Sequence, residues 1–397
     1  MVVFKQLRGV RVSAEGRRVS TFELFFDLVF VFAFTQVTRL MSQENTAFGV
    51  LQGLIILGLL WWSWVTFSWL SNYAHADEGI MRVGMIVAMA AVFVTALAIP
   101  EAYDDFTGGL SGPLVLAVAY TVVRLTQLGL YMVAARADNE PRQQLISSSA
   151  AAFLGSGLIV AGALIGGQAQ TWLWLAGLLT DFALTYATSV TGNWQIRSAV
   201  HWTERYSLIV ILALGESIIA LGLGASELPI DTAILAGSLF GVGLSICLWW
   251  LYFDMTALEA ERIFGKLQGR ARASMATDAY SYLHLAIVAG IILFALGVET
   301  TLEHIDDPTR FGWFGAIHLL GGTALYLMGH TLFWRRISGQ WKKSRLVASL
   351  ILAALIPVGA FISPLAAMAL TFAVCCALVA YETTMYAAHR ATLRGEK

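Results

Sequence analysis

Charged residues are scarce in this sequence. Of its 397 residues, 13% are Asp, Glu, Lys or Arg and 58% are hydrophobic. Soluble domains carry about 25% charge. So few charges cannot coat a water-soluble core, which excludes an ordinary soluble fold and makes lipid the expected solvent. Cysteine is equally sparse. Cys247, Cys375 and Cys376 all lie inside apolar runs, which excludes a disulfide framework or a zinc cage built from them. The net charge is −1, so no polyanion is implied and nucleic-acid binding is not expected.

Signatures of chemistry are missing too. No His-x-x-x-His or His-Glu-x-x-His pair offers a metal site, and no Gly-x-Ser-x-Gly elbow offers a nucleophile. Asp104-Asp105 and Asp306-Asp307 lack the further spaced Asp of a magnesium site. Gly155 and Gly157 sit in an apolar run with no preceding strand, so they read as helix contacts and not as a phosphate loop. The sequence therefore assigns no catalytic residue, no metal ligand and no cofactor.

What is present is a series of long apolar runs. A spanning helix needs about 20 such residues. The expected spans are 22–41, 48–71, 82–100, 112–135, 145–166, 171–190, 206–224, 232–253, 279–298, 312–333, 346–362 and 365–387. The last two are separated by an argument. Residues 346–381 carry no charge, yet as one helix they would measure about 54 Å against a hydrocarbon core of about 30 Å. Pro357, Ser363 and Pro364 supply the break. The fold expected is an all-α membrane bundle of about twelve helices.

Lys and Arg set the orientation. With the N-terminus inside, every Lys and Arg except Arg39, Arg124 and Arg310 falls on the cytoplasmic side. Both termini are then cytoplasmic. The basic segment 1–20 reads as a retained tail, because the helix after it contains Glu23 and Asp27 and lacks a small-residue cleavage site. The outer loops are acidic, with Glu101, Asp104, Asp105, Glu227, Asp231, Glu299, Glu303, Asp306 and Asp307.

Short matches recur in order. Glu23-Leu-Phe-Phe-Asp27 corresponds to Glu204-Arg-Tyr-Ser-Leu208, and Leu128-Gly-Leu-Tyr131 to Thr323-Ala-Leu-Tyr326. They suggest two parallel six-helix repeats: 1–20 as tail, 21–200 as first half and 201–390 as second.

Ionisable residues inside spans each ask for a partner or a purpose, at about 2.5–3.5 kcal/mol near the bilayer centre. Arg124, Asp181 and Glu216 fall near mid-span. Two acids and one base leave a negative charge for a proton or cation to neutralise; the plainer reading is a structural Arg124–Asp181 bridge. Asp27 joins them as a candidate transport residue, four positions from Glu23 and on the same helix face. Glu23, Gln36, His284, His330 and Glu382 form a secondary polar layer, read either as a proton relay or as capping and helix contacts. The aromatic runs Trp61-Trp62-Ser63-Trp64 and Trp249-Trp250-Leu251-Tyr252 read as packing.

Two stretches resemble a known family. Glu23-Leu-Phe-Phe-Asp27-Leu-Val-Phe-Val-Phe-Ala-Phe-Thr-Gln36 resembles the opening signature of the bacterial low temperature requirement A proteins, and Glu204-Arg205 with Leu214-Gly-Glu216-Ser resembles the second. The resemblance implies a multi-pass protein of the bacterial inner membrane, named for a requirement during growth in the cold. It implies no particular substrate. Phe25-Phe26-Asp27 is also similar to the Phe-Ser-Asp motif of a lysosomal and bacterial potassium-channel family with the same helix plan, although Phe26 stands for the Ser and Leu208 for the second Asp. The functional expectation is passage of a small cation or proton, with membrane lipids as the surroundings. The alternative is a membrane enzyme or lipid-handling protein supporting the envelope in the cold.

Overall fold

The computed structural model describes residues 10–137, 139–192, 194–226, 229–305 and 310–394. The segments holding Lys5, Arg8, Glu227, Asp306, Asp307 and Lys397 lie outside them. Helices dominate. In order they are α1 Thr21–Glu44, α2 Ala47–Tyr73, α3 Gly79–Ala98, α4 Gly112–Ala134, α5 Asn139–Ile165, α6 Gly167–Thr191, α7 Ala199–Ser226 and α8 Thr232–Phe253. Then come α9 Thr256–Lys266, α10 Gly269–Met275, α11 His284–Glu303, α12 Gly312–Ala316, α13 Gly322–Ser338, α14 Lys343–Phe361, α15 Pro364–Met385 and α16 Ala387–Arg394. Wide π turns at Ala276–Leu283 and Ile317–Gly321 join α10 to α11 and α12 to α13.

Among the described residues, nine helical segments are long and apolar enough to cross a membrane. The chain is a helical membrane protein. The expected spans 145–166, 171–190 and 312–333 coincide with α5, α6 and the α12–α13 rod, which are helical but not among those nine. Polar residues dilute the latter two: Gln168, Gln170 and Asp181 in α6, His318 and His330 in the rod.

The chain divides into two compact units. The first is Met1–Leu40, Leu51–Arg205 and Leu267–Thr277; the second is Met41–Val50, Tyr206–Lys266 and Asp278–Lys397.

In the first unit, α5 packs on α6 at glycine. A Cβ on Gly177 would stand 2.9 Å from the Gly155 carbonyl, and one on Gly155 would stand 3.2 Å from the Asp181 Cβ. Backbones this close exclude side chains from the crossing, and the crossing fixes where Asp181 points. The segment before α1 is tied to the end of α2. Ser13 N donates to Tyr73 O at 3.0 Å, and His75 N to Arg11 O at 2.9 Å.

In the second unit, α11 packs on the α12–α13 rod by the same device. Cβ atoms on Gly290 and Gly297 would collide with the Tyr326 and Leu319 backbone nitrogens. The break between α14 and α15 falls at Ser363 and Pro364, whereas Pro357, also expected to break the chain, lies inside α14. Ser363 caps α15 by accepting from Ala366 N, and Pro364 takes its first turn.

Candidate functional site

Ser20 and Glu23 open α1 as a capping box. Ser20 Oγ accepts from Glu23 N at 3.3 Å, and Glu23 Oε2 accepts from Ser20 N at 2.9 Å. The box turns the Glu23 carboxylate back over the helix start, where Arg17 NH2 meets Oε2 at 3.2 Å. Its other oxygen, Oε1, lies 2.7 Å from His201 Nε2. Glu23 and His201 are both fully buried.

One turn along α1, Asp27 is also fully buried. Its Oδ1 accepts from Trp64 Nε1 of α2 at 2.9 Å and meets Arg205 NH2 of α7 at 3.0 Å. The guanidinium carbon of Arg205 lies 5.3 Å from the Trp64 ring centroid. Arg205 also donates to the Glu23 carbonyl and to Ser68 Oγ, each at 3.4 Å. Asp27 Oδ2 is buried and accepts no hydrogen bond among the described residues.

Asn72 sets the histidine. Its Oδ1 accepts from Arg197 N at 2.8 Å, so its Nδ2 is the group facing His201 Nδ1 at 3.2 Å. An amide N–H opposite Nδ1 makes that nitrogen the acceptor. The proton then sits on Nε2 and is donated to Glu23. With His201 neutral, Glu23 and Asp27 are balanced by Arg17 and Arg205.

Arg124 of α4 and Asp181 of α6 form a second buried pair in the same unit, with NH2 2.8 Å from Oδ2 and 3.0 Å from Oδ1. Thr185 Oγ1 adds a donor to Asp181 at 3.3 Å. Beside it Trp62 of α2 packs on Phe182, with centroids 4.4 Å apart and the ring planes tilted by 43°. Gln36 is half-buried further along α1.

Glu216 lies in the second unit, buried on α7 beside Ser217, whose Oγ is 2.8 Å from Ser245 Oγ. His284, His330 and Glu382 share a separate network there. Arg345 grips Glu382 with two nitrogens at 3.0 and 2.8 Å, and its NH1 reaches His330 Nδ1 at 2.9 Å and Thr256 Oγ1 at 3.0 Å. Tyr252 OH lies 3.0 Å from His284 Nε2, and His284 Nδ1 donates to the Ala279 carbonyl in the π turn.

Three expectations change. The helix expected over 206–224, opened by Glu204-Arg205, starts earlier, because α7 begins at Ala199 and carries His201 and Arg205 within it. Arg205, Arg272 and Arg345 are not free boundary charges. All three are buried in ion pairs, with Asp27, Glu15 and Glu382. Trp64 does more than pack, since it holds Asp27. Arg17, Trp64, Asn72, His201 and Arg205 were not anticipated as site residues. A signal was available: Glu23 and Asp27 are four apart on α1, His201 and Arg205 are four apart on α7, and the two pairs interlock.

Among the described residues, one group could offer metal ligands. His75, Asp77 and Glu78 place donor atoms within 4.8 Å of one another. Arg17 stands 3.9 Å from Asp77 and Arg11 stands 3.5 Å from Glu78, so the carboxylates already have counter-charges. Burial and Arg17 hold His75 below the usual histidine range.

A sequence model described as bacterial low temperature requirement A protein (LtrA) matches residues 18–380. That match includes both interlocked pairs and nearly all of the described helices. The chain belongs to the LtrA family. This LtrA protein is 27% identical over 332 residues to an uncharacterized protein of Rhizobium meliloti (strain 1021), a match covering 80% of this chain and 77% of the relative. No solved structure matches it. Within the LtrA chain the two signatures meet physically, since Glu23 and Asp27 of the first hold His201 and Arg205 at the second.

Proposed function

We propose that this LtrA-family protein moves a proton or small cation across the bacterial inner membrane. In this reading the chain crosses twelve times as two parallel six-helix repeats, with both termini in the cytoplasm. The strongest support is Asp27: a fully buried carboxylate inside a span, with one oxygen committed to Trp64 and Arg205 and the other without a protein donor. A buried acceptor left open is costly unless something fills it. A proton or a cation on Oδ2 would compete with Arg205 for the carboxylate, and release of Arg205 would loosen α1 from α7. The segregation of Lys and Arg supports the topology, and the ordered matches support the repeat.

The test is flux in liposomes. The purified chain should dissipate an imposed H⁺, Na⁺ or K⁺ gradient faster than empty vesicles. Asp27→Asn keeps the shape and removes the charge, and combined with Arg205→Gln, so that no lone charge stays buried, it should abolish that flux in protein that is still recovered folded. No flux from the wild type under any of the three gradients would end the transport reading.

A further inference from the structure

On the outer face of the α14–α15 hairpin an apolar groove runs between the two helices. Val347 and Ile351 line it from α14, Val374 and Leu378 from α15, with Lys343 and Tyr381 at one end. From Lys343 to Ile351 the groove follows about 12 Å of helix, close to the ~15 Å depth of one leaflet's hydrocarbon. Trp341, two residues before Lys343, is half-exposed and marks this end as the interfacial level.

The charges at that end are unevenly satisfied. Arg345 is buried on Glu382, and Ser344 donates to the same carboxylate at 2.7 Å. Lys342 is buried against Trp334. Lys343 is exposed, lines the groove and has no carboxylate within ion-pair distance among the described residues. Glu382, on the facing helix, is already gripped by two nitrogens of Arg345. A cation without a carboxylate partner, at the mouth of an apolar channel of leaflet depth, fits a molecule with an anionic head and an alkyl chain.

We propose that the α14–α15 groove is a binding site for one anionic phospholipid, its headgroup phosphate on Lys343 and an acyl chain along Val347, Ile351, Val374 and Leu378. Tyr381, half-exposed beside Lys343, offers a hydroxyl at headgroup level. A second protein copy would have to bring its own acid to Lys343, whereas phosphatidylglycerol brings both features in one molecule. The site does not depend on the transport reading.

Native mass spectrometry of the full-length chain released from detergent, with added phosphatidylglycerol or phosphatidylcholine, tests it. Wild type should retain phosphatidylglycerol over phosphatidylcholine. Lys343→Gln should lower phosphatidylglycerol retention about fivefold, the weight of one lysine at an anionic surface. Ala377→Trp, which fills the groove, should lower retention of both lipids. Arg82→Gln, exposed at the start of α3, should change neither. Equal retention of the two lipids by wild type, or an equal fall in Arg82→Gln, would overturn the proposal. So would dimers in place of lipid adducts that vanish in Lys343→Gln.

Discussion

His201 Nε2 lies 2.7 Å from Glu23 Oε1 with neither side chain exposed, and Asn72 behind the ring decides which nitrogen carries the proton. A hydrogen bond to a charged group contributes about 1.5–3 kcal/mol. His201→Phe should cost that much in detergent-based unfolding. Asn72→Ala should cost less in the His201→Phe background than in wild type, because part of its effect passes through the imidazole. Strict additivity of the two losses would show that Asn72 does not act through His201.

Arg124 and Asp181 are buried together. Removing one partner of such a pair leaves an uncompensated charge, at a cost of about 3–5 kcal/mol. Arg124→Gln alone should therefore reduce the folded fraction on size-exclusion chromatography. The double variant Arg124→Gln with Asp181→Asn should recover part of it. A double variant no better than the single one would mean that Arg124 matters for some reason other than Asp181.

Lys342 gives stability a pH dependence of known sign. It caps α14 outside the spans, and burial first, then Arg345, pulls its amine down from 10.5 to about 7. Between those two values the unfolded chain binds a proton that the folded chain does not, so this group's contribution improves as pH rises. Below about 7 both states are charged and the full cost of burial is felt. Lys342→Met should thus melt higher than wild type at pH 6, and the gap should narrow by pH 9. A gap independent of pH would show that the amine is not titrating in the folded state.

The topology has its own check. In a background with Cys247, Cys375 and Cys376 replaced, a cysteine at Phe106 should react with an impermeant thiol reagent added outside intact cells. A cysteine at Gln268 should react only after permeabilisation. Labelling of both from outside would reject the proposed orientation.

The sequence by itself determined the class of protein and the placement of its helices. Low charge and long apolar runs require lipid, and in lipid the backbone must satisfy itself, so each run becomes a helix. The α14–α15 break was legible because proline and a capping serine act locally. Family membership was legible in two short signatures. The partnerships were not. Hydropathy treats Arg205 as a boundary charge, because a guanidinium two turns into a helix looks the same to a sequence window whether water or Asp27 receives it. Only the approach of α7 to α1 decides that, through contacts between residues some 180 positions apart. The same holds for Arg345, which lies 37 residues from Glu382. In Arg124 and Asp181 the sequence supplied equal depth and opposite charge, but their contact needed α5 and α6 to cross at Gly155 and Gly177, where the absence of side chains lets the backbones meet.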